Sequence, residues 1–254
     1  MLNWHFAEGQ TLRYGETKAY RPPSQFEKFA NVRYYNPSAN GLGVAGTLLD
    51  STTVARGNVR AEGIVAKEIG YLGDFPELGV NLDVRVFQEE IRDFIRTTNY
   101  PLPGSGVVDQ NAIDFINSEN FSIRGVEYQL KWQPWKGGNL IFNQSYVDSS
   151  WTDNGTFKAK PFSSMGLMFM QSLPGGLDFS VMHSQSDSTN FAGTSNLMAP
   201  AMSRTDLRLA KQLRWGAKRG EVSLVVQNLG PSYPDFLPNT YFRQQAFVML
   251  KLEN

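Results

Sequence analysis

The sequence lacks the residues and segments on which several large classes of protein depend. Its 254 residues contain no cysteine, which excludes disulfide scaffolds and thiolate metal sites. No run of about 18 apolar residues occurs, so no transmembrane helix is predicted. Lys plus Arg and Asp plus Glu both number 24, and the resulting net charge of zero gives no electrostatic attraction for nucleic acid. The first residues carry neither the basic segment nor the apolar core of a signal peptide.

What the sequence does contain is a series of segments in which apolar and polar residues alternate. A period of two is typical of a β-strand that buries one face and wets the other. Eleven such segments can be distinguished, and the clearest are residues 81–86, 125–132, 177–184, 204–215 and 221–229. In each of the last two segments, every second residue belongs to a largely apolar set, which we call the apolar parity; the alternate set is the wetted or polar parity. The apolar parity is expected to face lipid, and its residues include Leu207, Leu209, Val222, Leu224 and Val226.

Tight and long connections alternate between these segments. The tight ones are rich in Gly and Pro and cover residues 7–10, 73–79, 134–139, 174–176 and 216–220. The long ones cover residues 21–60, 97–119, 152–161, 187–201 and 230–239. Trp132, Trp135 and Trp215 lie beside tight connections, as in an aromatic girdle. This wiring is typical of a transmembrane β-barrel of the bacterial outer membrane.

Other interpretations of the same pattern remain open. A soluble antiparallel sheet with one face on solvent shows the same alternation and would suit a binding protein. A self-contained barrel of about 12 strands could act as a pore or as a lipase-like enzyme. The sequence places no serine and acid around His5 or His183, so we expect no catalytic function. Residues 41–46 match G-x-G-x-x-G, but no apolar strand precedes them and no helical pattern follows, which favours a loop.

Several motifs together resemble those of one family. Residues 17–27, Thr-Lys-Ala-Tyr-Arg-Pro-Pro-Ser-Gln-Phe-Glu, resemble the S-R-A-x-R-P-P-S-x-x-E stretch of TonB-dependent outer-membrane receptors. Weaker matches follow in order at residues 68–71, 82–87, 124–128, 204–208 and 226–229. The resemblance covers nearly the whole chain.

The resemblance implies a transmembrane barrel of 22 strands in a Gram-negative outer membrane, of which this chain would supply about the last eleven. Residues 1–254 would form one all-β domain, the carboxyl-terminal half of that barrel. Such receptors import a scarce ligand, for instance a ferric siderophore or cobalamin, with energy that TonB delivers to an amino-terminal plug. The sequence contains neither plug nor signal peptide, so we expect outer-membrane lipid, an amino-terminal plug and barrel half, and TonB as partners. No cofactor is expected.

Two sets of candidate site residues follow. On the wetted parity, six charged residues are expected to point into the lumen, where the resemblance implies contact with the plug: Glu127, Lys131, Arg204, Asp206, Arg208 and Arg214. Ordinary cross-strand pairing is the alternative role for them. In the first long connection, Arg33, Tyr34 and Tyr35 are candidates for ligand contact. The acidic residues of the second, including Asp114, are expected to be solvated.

Overall fold

The computed structural model describes residues 1–150, 162–190, 197–216, 218–235 and 239–253. Apart from one α-helix, α1 (Gln25–Phe29), and one short 3₁₀ helix (Pro76–Leu78), its regular elements are strands. The strands are β1 (Leu2–Ala7), β2 (Gln10–Arg21), β3 (Asn31–Tyr35), β4 (Leu48–Val54), β5 (Glu62–Phe75), β6 (Val80–Arg92), β7 (Ile95–Pro101), β8 (Asn111–Asn117), β9 (Phe121–Trp132), β10 (Gly138–Ser149), β11 (Ser163–Leu173), β12 (Leu177–Ser186), β13 (Thr189–Asn190), β14 (Met198–Ala199), β15 (Met202–Trp215), β16 (Lys218–Gln227), β17 (Tyr233–Pro234), β18 (Tyr241–Phe242) and β19 (Gln245–Glu253).

Eleven of these strands form one large sheet. Its order is β1-β2-β5-β6-β9-β10-β11-β12-β15-β16-β19, which is also the order along the chain. The pairing of β1 with β2 and all pairings from β9 to β19 are antiparallel. β1 and β19 are the two edges, so among the described residues the sheet is not closed. The predicted all-β fold with eleven sheet strands is confirmed.

The register of the sheet explains the alternation in the sequence. Leu207 lies opposite Val226, and Leu209 lies opposite Leu224, so the predicted apolar parity does form one face. That face is not covered by other parts of the described chain: Leu209 and Leu224 are 46% and 49% exposed. A contiguous apolar face of this kind needs a partner or a membrane to cover it.

The tight connections are as short as predicted. Gly79 ends the 3₁₀ helix between β5 and β6 at φ 63°, and a Cβ there would lie 2.6 Å from the carbonyl oxygen of Gln133. Gly175 and Gly176 join β11 to β12 at φ 77° and 73°. Positive φ without steric cost is what glycine supplies to such turns.

The long connections contain more regular structure than the sequence predicts. The first carries α1, β3 and β4, and the second carries β7 and β8. β3, β4, β8 and β7 pair in that order as a second, four-stranded sheet. Two further connections contain the small pairs β13–β14 and β17–β18. The predicted connection at residues 152–161 lies outside the described residues.

The chain packs as two compact units, and the two differ in where apolar side chains lie. The first comprises residues 1–16, 67–88 and 123–254, and the second residues 17–66 and 89–122. The second unit has a small core of buried apolar residues: Ala30, Val59, Ile95, Ala112 and Phe121. In the described part of the first unit, the one buried apolar residue is Ala210. The first unit therefore places its apolar side chains on a sheet face rather than in an interior.

Candidate functional site

The opposite face of the large sheet is polar, and the register brings predicted lumen residues together on it. Glu127 and Lys131 lie on one parity of β9. Lys131 lies opposite Ile141 on β10, and Ile141 lies opposite Met168 on β11. Met168 lies opposite Met182 on β12, which in turn lies opposite Asp206 on β15. Because cross-strand neighbours share a face, Asp206 and the other β15 residues of its parity lie on the face of Lys131. Which face is luminal stays a prediction.

Charged side chains on β2, β5, β6 and β9 form ion pairs on this face. The guanidinium of Arg85 lies 2.7 Å from Glu127 and 3.4 Å from Glu68. Arg13 donates to Asp83 at 2.7 Å. Of these residues, only Glu127 is among the site residues predicted from the sequence. The signal for Asp83 and Arg85 was present, since both fall on the wetted parity of residues 81–86, but their partners lie on other strands.

Two glycines make room for these long side chains. A Cβ on Gly70 would lie 3.1 Å from the Nε atom of Arg13. A Cβ on Gly15 would lie 2.9 Å from the Cγ atom of Glu68. The absence of these side chains therefore lets Arg13 and Glu68 lie flat across the neighbouring strand.

The ion pairs line a chamber of about 760 Å³. Most of its polar lining comes from Arg13, Glu68, Asp83, Arg85, Glu127, Gln129, Asn143, Ser145, Ser164 and Ser184. These groups offer both hydrogen-bond donors and acceptors, with guanidinium and carboxylate charges at one end and neutral amides and hydroxyls at the other. Such a surface can bind another polar surface or hold water, and it suits a lumen better than a lipid contact.

A second charged cluster lies on β15 and β16. Arg204 donates twice to the carboxylate of Asp206, at 2.8 and 2.7 Å, and its guanidinium lies 4.3 Å from the ring centroid of Phe242. Asp206 also accepts the backbone N–H of Asn228 at 2.9 Å. Arg208 is bonded to Glu221. Three of the predicted charged residues of β15, Arg204, Asp206 and Arg208, are thus paired locally, and Glu127 is not among their partners.

Arg214 and the predicted ligand contacts are placed differently. Arg214 is exposed and lies opposite Arg219 at the turn end of β15 and β16. Arg33, Tyr34 and Tyr35 lie on β3, an edge strand of the four-stranded sheet. Both tyrosines are just over half exposed, and the Nε atom of Arg33 donates to Asn31 at 2.9 Å. All three side chains are therefore accessible to a ligand.

Comparison with known proteins identifies the family. Residues 1–229 match the family model described as TonB dependent receptor-like, beta-barrel. The chain belongs to this family. No protein in the comparison with curated sequences matches the chain. The TonB-dependent receptors are outer-membrane barrels, so the chain is an outer-membrane protein.

Solved structures of a ferric enterobactin receptor, a siderophore receptor and a copper transporter share the fold of this chain. A mutant of the ferric enterobactin receptor PfeA from Pseudomonas aeruginosa matches at TM-score 0.65 and 16% identity, over 89% of this chain and 33% of that one. The siderophore receptor PirA from Pseudomonas aeruginosa matches at TM-score 0.67 and 16% identity, over 99% and 41%. The copper transporter OprC matches at TM-score 0.65 and 16% identity, over 92% and 34%. The chain therefore spans between a third and about two fifths of the length of these three structures.

The family motif at residues 17–27 has a physical role in the second unit. Ser24 caps α1 by accepting the backbone N–H of Glu27 at 3.1 Å, and Glu27 accepts the backbone N–H of Ser24 in return. Arg21 binds Glu27 with both terminal nitrogens and binds Glu62 through Nε at 2.6 Å. Because Arg21 donates these hydrogen bonds, the pKa of Glu27 is held below its usual range. The motif thus joins the end of β2, the helix and the start of β5.

A second charged pair holds the two long connections of this unit together. Asp114 on β8 accepts the backbone N–H of Arg56 at 2.9 Å and its guanidinium at 2.5 Å. The same guanidinium lies 4.6 Å from the ring centroid of Tyr100 on β7. Asp114 is only 2% exposed, so the prediction that it is solvated was wrong. Its partner lies 58 residues away, and no local pattern reveals such a contact.

The remaining sequence motifs have structural explanations. Residues 41–46 lie in the connection between β3 and β4, and a strand rather than a helix follows them. The Nδ1 atoms of His5 and His183 lie 2.8 and 2.9 Å from the hydroxyls of Thr11 and Thr205. Within the described ranges, no helix has the length and apolar character that crossing a membrane would require. TonB-dependent receptors are transporters rather than enzymes, which agrees with the expectation that the chain is not an enzyme.

Proposed function

We propose that this chain forms part of the barrel wall of a receptor that takes up a scarce ligand, such as a ferric siderophore or cobalamin, across the outer membrane. It acts with an amino-terminal plug and barrel half and receives energy through TonB. The observation that carries the proposal is the two-faced large sheet: an exposed apolar face for lipid, and a polar face with a chamber of about 760 Å³. A barrel wall around a hydrated interior requires both faces.

The matched structures support a siderophore as the first ligand to test. They include the ferric enterobactin receptor in complex with enterobactin, and the siderophore receptors named PirA from two bacteria. In this chain, Arg33, Tyr34 and Tyr35 contact the ligand from the edge of the four-stranded sheet. A guanidinium binds anionic oxygen atoms, and exposed phenol rings supply apolar faces with a polar tip.

The charged residues of the polar face bind the plug. Glu127 and Arg208 already have partners in the sheet, Arg85 and Glu221. The plug therefore exchanges some of these pairs for its own, and it does not encounter bare charges. Lys131 and Arg214 are exposed and can contribute a direct attraction for acidic groups of the plug.

A second ligand class is a copper ion, which one observation favours. Met168 and Met182 are directly opposed on the polar face, with Asp206 next in the same row. Thioether sulfur is a soft ligand that selects Cu(I) over hard cations. A copper transporter is also among the matched structures. Copper is then a transported substrate that moves along the polar face of the barrel wall, and it is not a resident cofactor.

The test is uptake by the native host after deletion of the gene. Ferric siderophores, cobalamin and copper are supplied in turn, each in the presence and absence of TonB. We expect one of them to lose its TonB-dependent uptake on deletion and to regain it from the restored gene. A restored gene carrying Arg33→Ala, Tyr34→Ala and Tyr35→Ala should raise the concentration needed for half-maximal uptake. Arg92→Ala, an exposed arginine of the same unit paired to Glu90, is the control. Unchanged uptake of every ligand on deletion would contradict the proposal.

A further inference from the structure

Basic side chains interrupt the apolar face of the large sheet at its tight-turn end. Lys211 on β15 lies opposite Leu177 and Val222, all on the apolar parity. Lys218, at the start of β16, lies opposite Trp215 on the same parity. Lys136 lies exposed in the turn between β9 and β10. We call Lys136, Lys211, Lys218 and the rings of Trp135 and Trp215 the basic rim.

The ammonium group of Lys211 is directed toward the turns. It donates a hydrogen bond to the backbone carbonyl of Gly175, which precedes Leu177 by two residues toward the turn end of β12. A lysine on an apolar face takes such a path to carry its charge to the polar boundary while its methylenes stay on apolar surface. Lys218 is closer to the turn by four residue pairs of the β15–β16 ladder. Both charges therefore belong to the same boundary.

Two tryptophan rings frame these charges, and each is fixed over a glycine. A Cβ on Gly220 would lie 2.7 Å from the ring of Trp215, and one on Gly138 would lie 2.5 Å from the indole nitrogen of Trp135. The indole N–H of Trp135 donates to Gln171 at 2.7 Å. Indoles at this position mark the level of the lipid headgroups.

The charge on this side of the sheet is not balanced by acids. Along the apolar parity of the described residues from β9 to β19, the one acidic residue is Asp148. It lies at the opposite end of β10, where it pairs with Arg124 at 3.0 Å. At the turn end, β15 and β16 therefore offer the ammonium groups of Lys211 and Lys218 with no carboxylate on their own parity, and Lys136 adds a third ammonium group in the turn between β9 and β10.

We propose that the basic rim binds the headgroups of anionic phospholipids in the leaflet that faces the tight turns. Two features of the basic rim favour this ligand. Its ammonium and indole groups lie at the edge of the apolar face, where lipid phosphate groups are found. Basic residues near a membrane surface also attract anionic lipid. The inference rests on the apolar face being the lipid face, and it is independent of which ligand the receptor imports.

The experiment extracts the protein from outer membranes in copolymer nanodiscs, which retain the surrounding lipid. The ratio of phosphatidylglycerol to phosphatidylethanolamine is then compared with that of the bulk membrane. We expect an enrichment of about two- to fivefold around the wild type. The variant Lys211→Gln/Lys218→Gln should fall to the bulk ratio. The matched control Arg219→Gln/Lys251→Gln removes two charges at the same end but on the polar parity, and it should keep the enrichment.

A second variant separates loss of charge from loss of fold. Lys211→Arg/Lys218→Arg keeps both charges and should keep the wild-type ratio. Brominated phosphatidylglycerol should also quench the fluorescence of Trp135 and Trp215 more strongly than brominated phosphatidylcholine. A wild-type ratio equal to that of the bulk membrane would overturn the proposal, and so would an equal drop in the polar-parity control. An equal drop in the arginine variant would assign the effect to folding and would likewise overturn it.

Discussion

Asp114 shows how much a single residue contributes to the second unit. Burial alone would raise its pKa, but the hydrogen bonds from the backbone and guanidinium of Arg56 and from the backbone of Phe115 outweigh this and hold the pKa below its usual range. A carboxylate with a lowered folded-state pKa stabilises the fold fully above its unfolded value of about 3.9. That stabilisation is lost as the pH falls through the folded value.

Asp114→Asn should therefore destabilise the second unit at neutral pH, and the stability of that unit should then depend less on pH in the acidic range. We expect a loss of about 1–3 kcal/mol, because the amide leaves part of a buried, charge-assisted network unsatisfied. Hydrogen exchange of the β8 amides, followed from pH 7 to pH 3, measures both effects. Glu119→Gln, an exposed acid of the same connection, is the control. An equal acid-induced loss of protection in Asp114→Asn and the wild type would contradict the assignment.

At the scale of elements, the apolar parity of β15 and β16 gives the most specific prediction about which face of the sheet contacts lipid. Leu224 lies opposite Leu209 and Val248, and we predict that this row faces lipid near the bilayer midplane. In the complete barrel, Leu224→Arg should then cost roughly 2–4 kcal/mol in lipid vesicles, measured by reversible urea unfolding. Met182→Arg places the same charge on the polar face opposite Asp206 and should cost much less. Equal costs for the two variants would reject the assignment of faces.

The hairpin of β15 and β16 also tests the packing of the girdle. A Cβ on Gly220 would lie 2.7 Å from the Trp215 ring and 2.9 Å from the carbonyl oxygen of Lys251. We expect Gly220→Ala to displace the ring, shift its fluorescence and cost about 1–3 kcal/mol. Gly230→Ala is the control, since the nearest atom to its Cβ is 3.7 Å away. A fluorescence spectrum unchanged by Gly220→Ala would show that the ring does not rest on this glycine.

The sequence predicted the sheet strands well because each carries its own signal. Alternation over residues 204–215 needs no knowledge of the partner strand, and the register later places Leu207 and Leu209 as expected. In the four-stranded sheet, by contrast, the pairing that joins its two halves links distant segments and has no signal in either of them: β4 meets β8 in parallel at Thr53 and Ile113. The start of α1, however, does carry a local signal, because Ser24 and Glu27 have the spacing of a capping box.

The site was predicted only in part for the same reason. Parity placed Glu127 and Asp206 on the polar face, but it did not reveal that Arg85 joins Glu68 to Glu127. Ion pairs between strands depend on register and on the neighbours of each strand, and β2, the β5–β6 hairpin and β9 are far apart in sequence. Side-chain partners of this kind follow from the sheet once it is known, and not from any one segment.

At the scale of the whole molecule, the large sheet has two edge strands, β1 and β19, whose unpaired backbone groups limit the ways in which the sheet can lie in a membrane. Leu2 and Trp4 on β1 and Val248 and Leu250 on β19 are each more than 60% exposed. An unpaired strand edge presents N–H and C=O groups that hydrocarbon cannot satisfy. An antiparallel barrel also closes only with an even number of strands, and this sheet has eleven. Closure as a regular antiparallel barrel therefore requires strands beyond these eleven.

We accordingly predict that these 254 residues, expressed alone behind a signal peptide, do not transport ligand. The open edges should drive the chain into aggregates, into edge-paired dimers, or into a strained smaller barrel. The measurement is uptake of the ligand identified in the native host, in a strain that lacks its own receptor for it. A complete TonB-dependent receptor in the same strain is the positive control, and cross-linking of cysteines placed at Trp4 and Leu250 reports edge pairing. Energy-dependent uptake that requires TonB would show that the eleven-stranded sheet closes and is gated by itself.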